Sequence, residues 1–201
     1  LILLVMLLLP ATVQAETPEP SGPVQVVENL HDHLLEVMKE ADTLGYEGRY
    51  QHLESVLDQS LDLVFMAQKS VGRHWKDLDK EQQRKLLDTF RRFTIANYAG
   101  RFDGWSGQSF ETLGQEDSTH GTVIVRTQLV DPEGEDVHLN YRLRESDGTW
   151  RIIDVYLNGT VSELALRRSE NSSLISRDGF DALLRALEGR ISELAQGGSA
   201  S

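Results

Sequence analysis

The sequence predicts an α+β protein, and three observations carry that prediction. Apolar residues recur at helical spacing from Val24 to Tyr98, alternate with period two from Val123 to Leu157, and return to helical spacing from Val161 to Ile191. Two turn signals, Asp131-Pro132-Glu133-Gly134 and Asp147-Gly148, divide the alternating stretch into hairpins. Helices, then an antiparallel meander, then helices again is an α+β order, here with a sheet of about four or five strands.

The chain opens on a nine-residue apolar run, Leu1 to Leu9, followed by Val13-Gln14-Ala15. A run that short falls well below the roughly 20 residues of a membrane span. It fits the core of a secretory signal peptide with a small-x-small cleavage site, truncated at its start because no initiator Met or basic segment precedes it. The expected organisation is a signal peptide over 1–15, a flexible leader over 16–23 with three prolines, a single domain over 24–195 and a polar tail over 196–201.

Within the domain, Val27, Leu30, Leu34, Met38 and Ala41 form a helical stripe that Gly45 ends. Tyr50, Leu53 and Leu57 mark a second helix over 46–58, and a third runs from Leu61 to Val71 before Gly72. Asp79 can cap a fourth, with Gln82 three residues on, and Leu86, Phe90, Phe93 and Asn97 share one of its faces. Ser109 to Gly114 is a weak strand. Val123 to Leu129, Val137 to Leu143 and Trp150 to Leu157 are stronger ones. The last is apolar at both parities, which predicts cover on both faces. Val161, Leu164, Ala165 and Leu174 mark one closing helix. Phe180, Leu183, Leu184, Leu187 and Ile191 mark the other.

The 201 residues carry 20 Lys and Arg against 32 Asp and Glu, a net charge of −12 that disfavours nucleic acid as a partner. Hydrophobic residues at 39% with charged residues at 26% describe a globular chain rather than a disordered one. Zero cysteines exclude a disulfide scaffold, a thiolate metal site and a cysteine nucleophile.

Few residues suggest catalysis, and no metal or cofactor is expected. The chain has neither a phosphate-binding Walker loop nor a dinucleotide fingerprint. Gly104-Trp105-Ser106-Gly107 lacks the second glycine of a nucleophile elbow and reads as a turn. His31-Asp32-His33 places its two imidazoles about 200° apart on a helix, too far round to share a metal, so both read as solvated. Asp131 to Asp136 lacks the alternating spacing of a calcium loop. Asp154 sits in an apolar strand, where a carboxylate needs a partner: a structural pair or edge position, or a catalytic base assisted by Tyr156 or Tyr141. Between Arg73 and Arg101, eight basic residues face four acids, a net +4 while the rest of the chain carries −16. That segment, with Arg84, Lys85, Arg91 and Arg92, is either a solvated face or a patch for a partner or an anionic headgroup.

Several segments in order carry a resemblance: Gly72-Arg73-His74-Trp75, Gln83 to Gly100, Tyr141-Arg142-Leu143, Asp147 to Val155, and Arg177 to Leu184. Together, over Val24 to Leu194, the chain resembles the Mla-type periplasmic phospholipid-binding family, also called the toluene-tolerance auxiliary family. It departs from the usual pattern over Gly159 to Glu170, where it looks like the hopanoid-biosynthesis-associated branch. The resemblance implies helices wrapped around a curved antiparallel sheet enclosing an apolar pocket. It implies a monomeric periplasmic carrier that binds lipid noncovalently and makes transient contact with membrane complexes. The partners it implies are an inner-membrane ABC transporter complex and an outer-membrane lipoprotein or porin complex. The cargo is a phospholipid or a hopanoid-related lipid, and the alternative is a lipid-modifying enzyme of hopanoid metabolism on a similar fold. Pocket residues expected from the family-like segments are Trp75, Tyr98, Val125, Tyr141, Val155 and Leu157.

Overall fold

The computed structural model describes residues 22–197. The signal peptide and nearly all of the leader and tail expected from the sequence lie outside the described residues. Six α-helices and five strands follow in the order α1 (Pro23–Lys39), α2 (Ala41–Ser60), α3 (Leu63–Ser70), α4 (Lys80–Arg101), β1 (Ser109–Asp117), β2 (Thr122–Val130), β3 (Val137–Ser146), β4 (Thr149–Leu157), β5 (Val161–Ser162), α5 (Glu163–Asp178) and α6 (Phe180–Ala195).

Local chemistry sets most boundaries. Pro23 opens α1 at a position where its missing N–H costs nothing. The first break falls at Glu40 rather than Gly45. Gly45 lies inside α2 as a kink with φ +58°, a conformation a Cβ would strain. Asp79 and Gln82 form a reciprocal capping box at the start of α4, as their spacing predicts. Asp147 and Gly148 both have positive φ, 52° and 73°, the backbone of a tight two-residue hairpin turn. The Gly104–Gly107 stretch is a loop in which the Ser106 N–H donates to Gln108 Oε1.

The sheet is an antiparallel meander in the order β1-β2-β3-β4-β5. Val123, Val125, Leu139, Tyr141 and Leu143 turn one face to a core built with α1, α2 and α4. A bulge corrects the reading of β4. Arg142 pairs with Asp154 but Leu143 pairs with Ile152, so Ile153 is skipped and the parity flips. Trp150, Ile152, Val155 and Leu157 therefore all pack on the core side, and the strand's apparent two-faced apolarity is largely one face read through a bulge.

The fourth helix serves two cores. Ile95 and Ala99 face the sheet, while Leu86, Phe93 and Ala96 pack with Phe180, Leu183, Leu187 and Leu194 of α6. A Cβ on Gly100 would stand 2.8 Å from Leu194 Cδ2, so the two helices approach closely there. Arg49 of α2 is buried and donates to the carbonyls of Ala99 and Ala41, tying α4 to the start of α2. None of the described helices is long and apolar enough to cross a membrane.

Candidate functional site: an apolar cavity with a cationic mouth

The curvature of the sheet leaves a space against α4. This cavity of about 100 Å³ is floored by Leu139 and Tyr141 of β3 with Val155 and Leu157 of β4. Its roof is Phe90, Thr94, Asn97 and Tyr98 of α4. Leu61 and Met66 close one side, and Phe102 another. Arg101, Glu163 and Arg167 stand at its edge. The same Asn97, Arg101, Glu163 and Arg167 also line an open cleft of about 520 Å³ between α4, α5 and α6, which adds Arg190. An apolar interior thus opens past two guanidinium groups into a wet cleft.

Neither Arg101 nor Arg167 makes an ion pair among the described residues. Burial lowers the Arg167 guanidinium from its ordinary range, and its charged plane lies 4.5 Å from the centre of the Phe93 ring. Burial also pushes the Tyr98 phenol up to about 12 and the Tyr141 phenol well above its usual value, so both stay neutral. The Tyr141 hydroxyl shares a 3.0 Å hydrogen bond with His31 Nε2.

His31 corrects the sequence reading. It is buried at 3% exposure rather than solvated, stacked on Phe110 at 3.9 Å, and held neutral by burial. Four of the six expected pocket residues, Tyr98, Tyr141, Val155 and Leu157, line the cavity. Val125 does not; it is wholly enclosed in the core beside the sheet. Trp75 is also elsewhere, in a 3₁₀ turn (Gly72–Lys76) against the α4–α6 core. The sequence reading missed Leu61, Met66, Phe90 and Leu139 on the walls, and Arg101 and Arg167 at the mouth. The sequence shows Phe90 on an apolar helix face, but nothing separates a core face from a cavity face before the packing is known.

The basic segment is also corrected. Arg84 and Lys85 both pair with Glu81, at 2.6 and 3.7 Å. Arg91 meets Asp58 and Glu54, and Arg92 meets Asp88 and Glu188. Donating hydrogen bonds to these carboxylates raises the Arg91 and Arg92 guanidinium groups above their ordinary value, and accepting from Arg92 lowers Glu188. The four residues are a helix surface with its charges matched, not a free cationic patch. Arg101, the last base of the segment, makes no ion pair among the described residues and stands at the cavity mouth instead.

Asp154 has a structural task. Buried at 8% exposure, it accepts from Ser162 Oγ at 2.6 Å, from the Leu164 N–H at 3.1 Å and from the Val155 N–H at 2.9 Å. Ser162 in turn caps α5 by accepting from the Ala165 N–H. The bulge leaves Asp154 paired with Arg142, on the face away from Ile152 and Tyr141, and Asp154 does not line the cavity. Asp154→Asn is expected to lower stability by about 2 kcal/mol through the lost charge-assisted bonds, with the cavity unchanged. Thermal unfolding beside lipid extraction checks this. A variant with wild-type Tm would show that the carboxylate does not anchor α5.

The family described as MlaC protein matches residues 28–189 of the chain. A solved structure of the phospholipid-binding protein from Ralstonia solanacearum, in complex with a phospholipid, shares the fold with a TM-score of 0.76 at 23% identity. The match covers 87% of this chain and 99% of that one. No curated protein sequence matches the chain.

Proposed function

Since the chain belongs to the MlaC protein family, we propose that it is a noncovalent lipid carrier whose acyl chains occupy the cavity between the sheet and α4. The observation that carries this reading is the pairing of an apolar interior with Arg101 and Arg167 unpaired at its mouth. A lipid needs both parts: a dry space for its tails and a wet, cationic edge for an anionic headgroup. The phospholipid held by the Ralstonia solanacearum protein of the same fold supports the same assignment.

The energetics favour a carrier over a catalyst. Each methylene taken from water is worth about 0.8 kcal/mol, so a diacyl lipid with some 30 of them would face roughly 25 kcal/mol crossing water bare. A pocket that matches the membrane interior removes that barrier, and lipid moves between wells of similar depth. No bond need be made or broken. Asp154 is engaged in anchoring α5, and the carboxylate that does line the cavity, Glu163, stands at its edge with Arg101 and Arg167 rather than among the apolar walls.

At about 100 Å³ the cavity is smaller than the roughly 300–1,000 Å³ of ordinary ligand sites, so loading widens it. The fifth helix is the element that yields. None of its residues is fully buried, although its start is tied to β4 by the β4–β5 pairing and by Asp154. In this reading the chain is a periplasmic monomer over 24–195, released from a signal peptide. It takes lipid from or to an inner-membrane ABC transporter complex and an outer-membrane lipoprotein or porin complex. The cargo is a phospholipid or a hopanoid-related lipid.

Native mass spectrometry of the protein from its own periplasm, with lipid extraction of the same sample, tests this reading. The expected result is a bound species of defined mass that extraction identifies as phospholipid or hopanoid. An empty mass, unchanged after incubation with liposomes of either lipid, overturns it.

A further inference from the structure

The sequence sets His33 beside His31, which cannot share a ligand with it. The fold gives His33 a different neighbour. The first two helices pack together, and His52 of α2 comes to face His33 and Glu36, which lie one turn apart on α1. His33 Nδ1 is 2.9 Å from Glu36 Oε2, His52 Nε2 is 3.2 Å from the same oxygen, and the two nitrogens are 3.3 Å apart.

We propose that His33, Glu36 and His52 bind a divalent transition-metal ion of the zinc class. An ion bound at about 2.0–2.1 Å in a tetrahedral shell holds its ligand atoms roughly 3.3 Å from one another. The three atoms already form a triangle of nearly that edge, one face of such a shell. They need only small shifts to receive the ion, and the fourth position opens to solvent beside Glu36, whose side chain is 56% exposed.

Each imidazole nitrogen in the triangle carries at most one proton. If both donate to Oε2, they fill its two lone pairs and leave the two nitrogens facing each other at 3.3 Å with no proton between them. If one donates to the other, its bond to the carboxylate is lost. Hydrogen bonding leaves one edge unsatisfied in every arrangement of neutral rings. A cation at the centre satisfies all three donors at once and balances the carboxylate charge.

The donor set also selects the ion. Two imidazoles and a carboxylate suit zinc, copper and nickel, while magnesium demands more oxygen ligands and keeps its waters. The ligands come from two helices, so the ion would brace α1 against α2, on which the sheet core rests. This inference stands apart from the lipid cavity, which none of the three residues lines.

Titration calorimetry with Zn²⁺ alone, on untagged full-chain protein stripped with chelator, tests the site. One ion per chain is expected, with no heat from Mg²⁺. Saturation at a hundredfold excess over Kd should raise Tm by roughly 5–10 °C. His33→Ala and His52→Ala should each weaken Zn²⁺ binding tenfold or more, while His138→Ala on β3 leaves it unchanged. Glu36→Gln should weaken it too, and circular dichroism on each variant confirms that the helices persist. Wild-type protein that binds Zn²⁺ no more tightly than the His33→Ala/His52→Ala double variant overturns the proposal, as does equal loss in His138→Ala.

Discussion

Leu157→Arg is expected to strip lipid from a protein that still folds, whereas Val125→Arg is expected not to fold. Both residues are apolar strand positions on the core side of the sheet, and the sequence offers no distinction between them. Their surroundings differ. Val125 is fully enclosed, and a guanidinium placed there finds neither water nor a partner. Burying such a charge costs on the order of 5 kcal/mol or more, a large part of the roughly 5–15 kcal/mol that holds a domain folded. Leu157 is half-buried at the end of β4 and lines the cavity. An arginine there can extend its head toward water while its stem and charge occupy the acyl path. The loss should reach roughly tenfold or more in bound lipid, since even 1.4 kcal/mol gives that factor. Lipid extraction read beside far-UV circular dichroism separates the cases. A Leu157→Arg protein that retains lipid at the wild-type level would move the site away from the cavity. A folded Val125→Arg protein would show that the position is not core.

The fold was largely legible because its signals are local. Helical stripes, the Asp79–Gln82 box and the Asp147-Gly148 turn each act within a few residues, and each appears in the structure where its spacing put it. The misplacements came from longer-range or irregular features. A break at Glu40 and a kink at Gly45 look like one stop in the sequence, because glycine signals either equally well. The short β5 is indistinguishable there from the start of the following helix, since two residues show no period. The bulge at Ile153 was invisible because one skipped residue turns a one-faced apolar strand into one that reads as two-faced.

The site was legible only in part, for a related reason. Residues such as Tyr98, Tyr141, Val155 and Leu157 announce an apolar face, and family-like segments pointed to them. Whether an apolar face meets another side chain or an empty space depends on sheet curvature, which no residue encodes alone. Charge pairing is partly non-local. Arg84, Lys85 and Arg92 meet Glu81 and Asp88 within α4, at spacings the sequence displays, but Glu54, Asp58 and Glu188, which hold Arg91 and Arg92, come from α2 and α6. Arg101 belongs to the basic segment and Arg167 is an ordinary helix residue in the sequence, and their lack of ion-pair partners is visible only once α5 lies over α4.

Acid is expected to destabilise the protein through His31, by an amount that one substitution can isolate. Burial lowers this imidazole from 6.5 to about 3, so the folded protein keeps it neutral beside the Tyr141 hydroxyl. The unfolded chain protonates it at the ordinary value. Between those two pH values the unfolded state binds the extra proton, so stability falls as pH drops below about 6.5 and goes on falling toward 3. By pH 5 this one group should have cost about 2 kcal/mol relative to pH 8. His31→Gln removes the titration while keeping an amide within reach of Tyr141. Urea unfolding of both proteins at pH 8 and pH 5 should therefore show the wild type losing about 2 kcal/mol more than the variant. His31→Leu adds a second reading at pH 8. It leaves a buried phenolic hydroxyl without its partner, at a cost of roughly 1–3 kcal/mol. Equal acid losses in wild type and His31→Gln would mean that the folded protein accepts the proton at His31. The Tyr141 ring that floors the cavity would then be held by something other than a neutral imidazole, and the cavity's shape would change with pH.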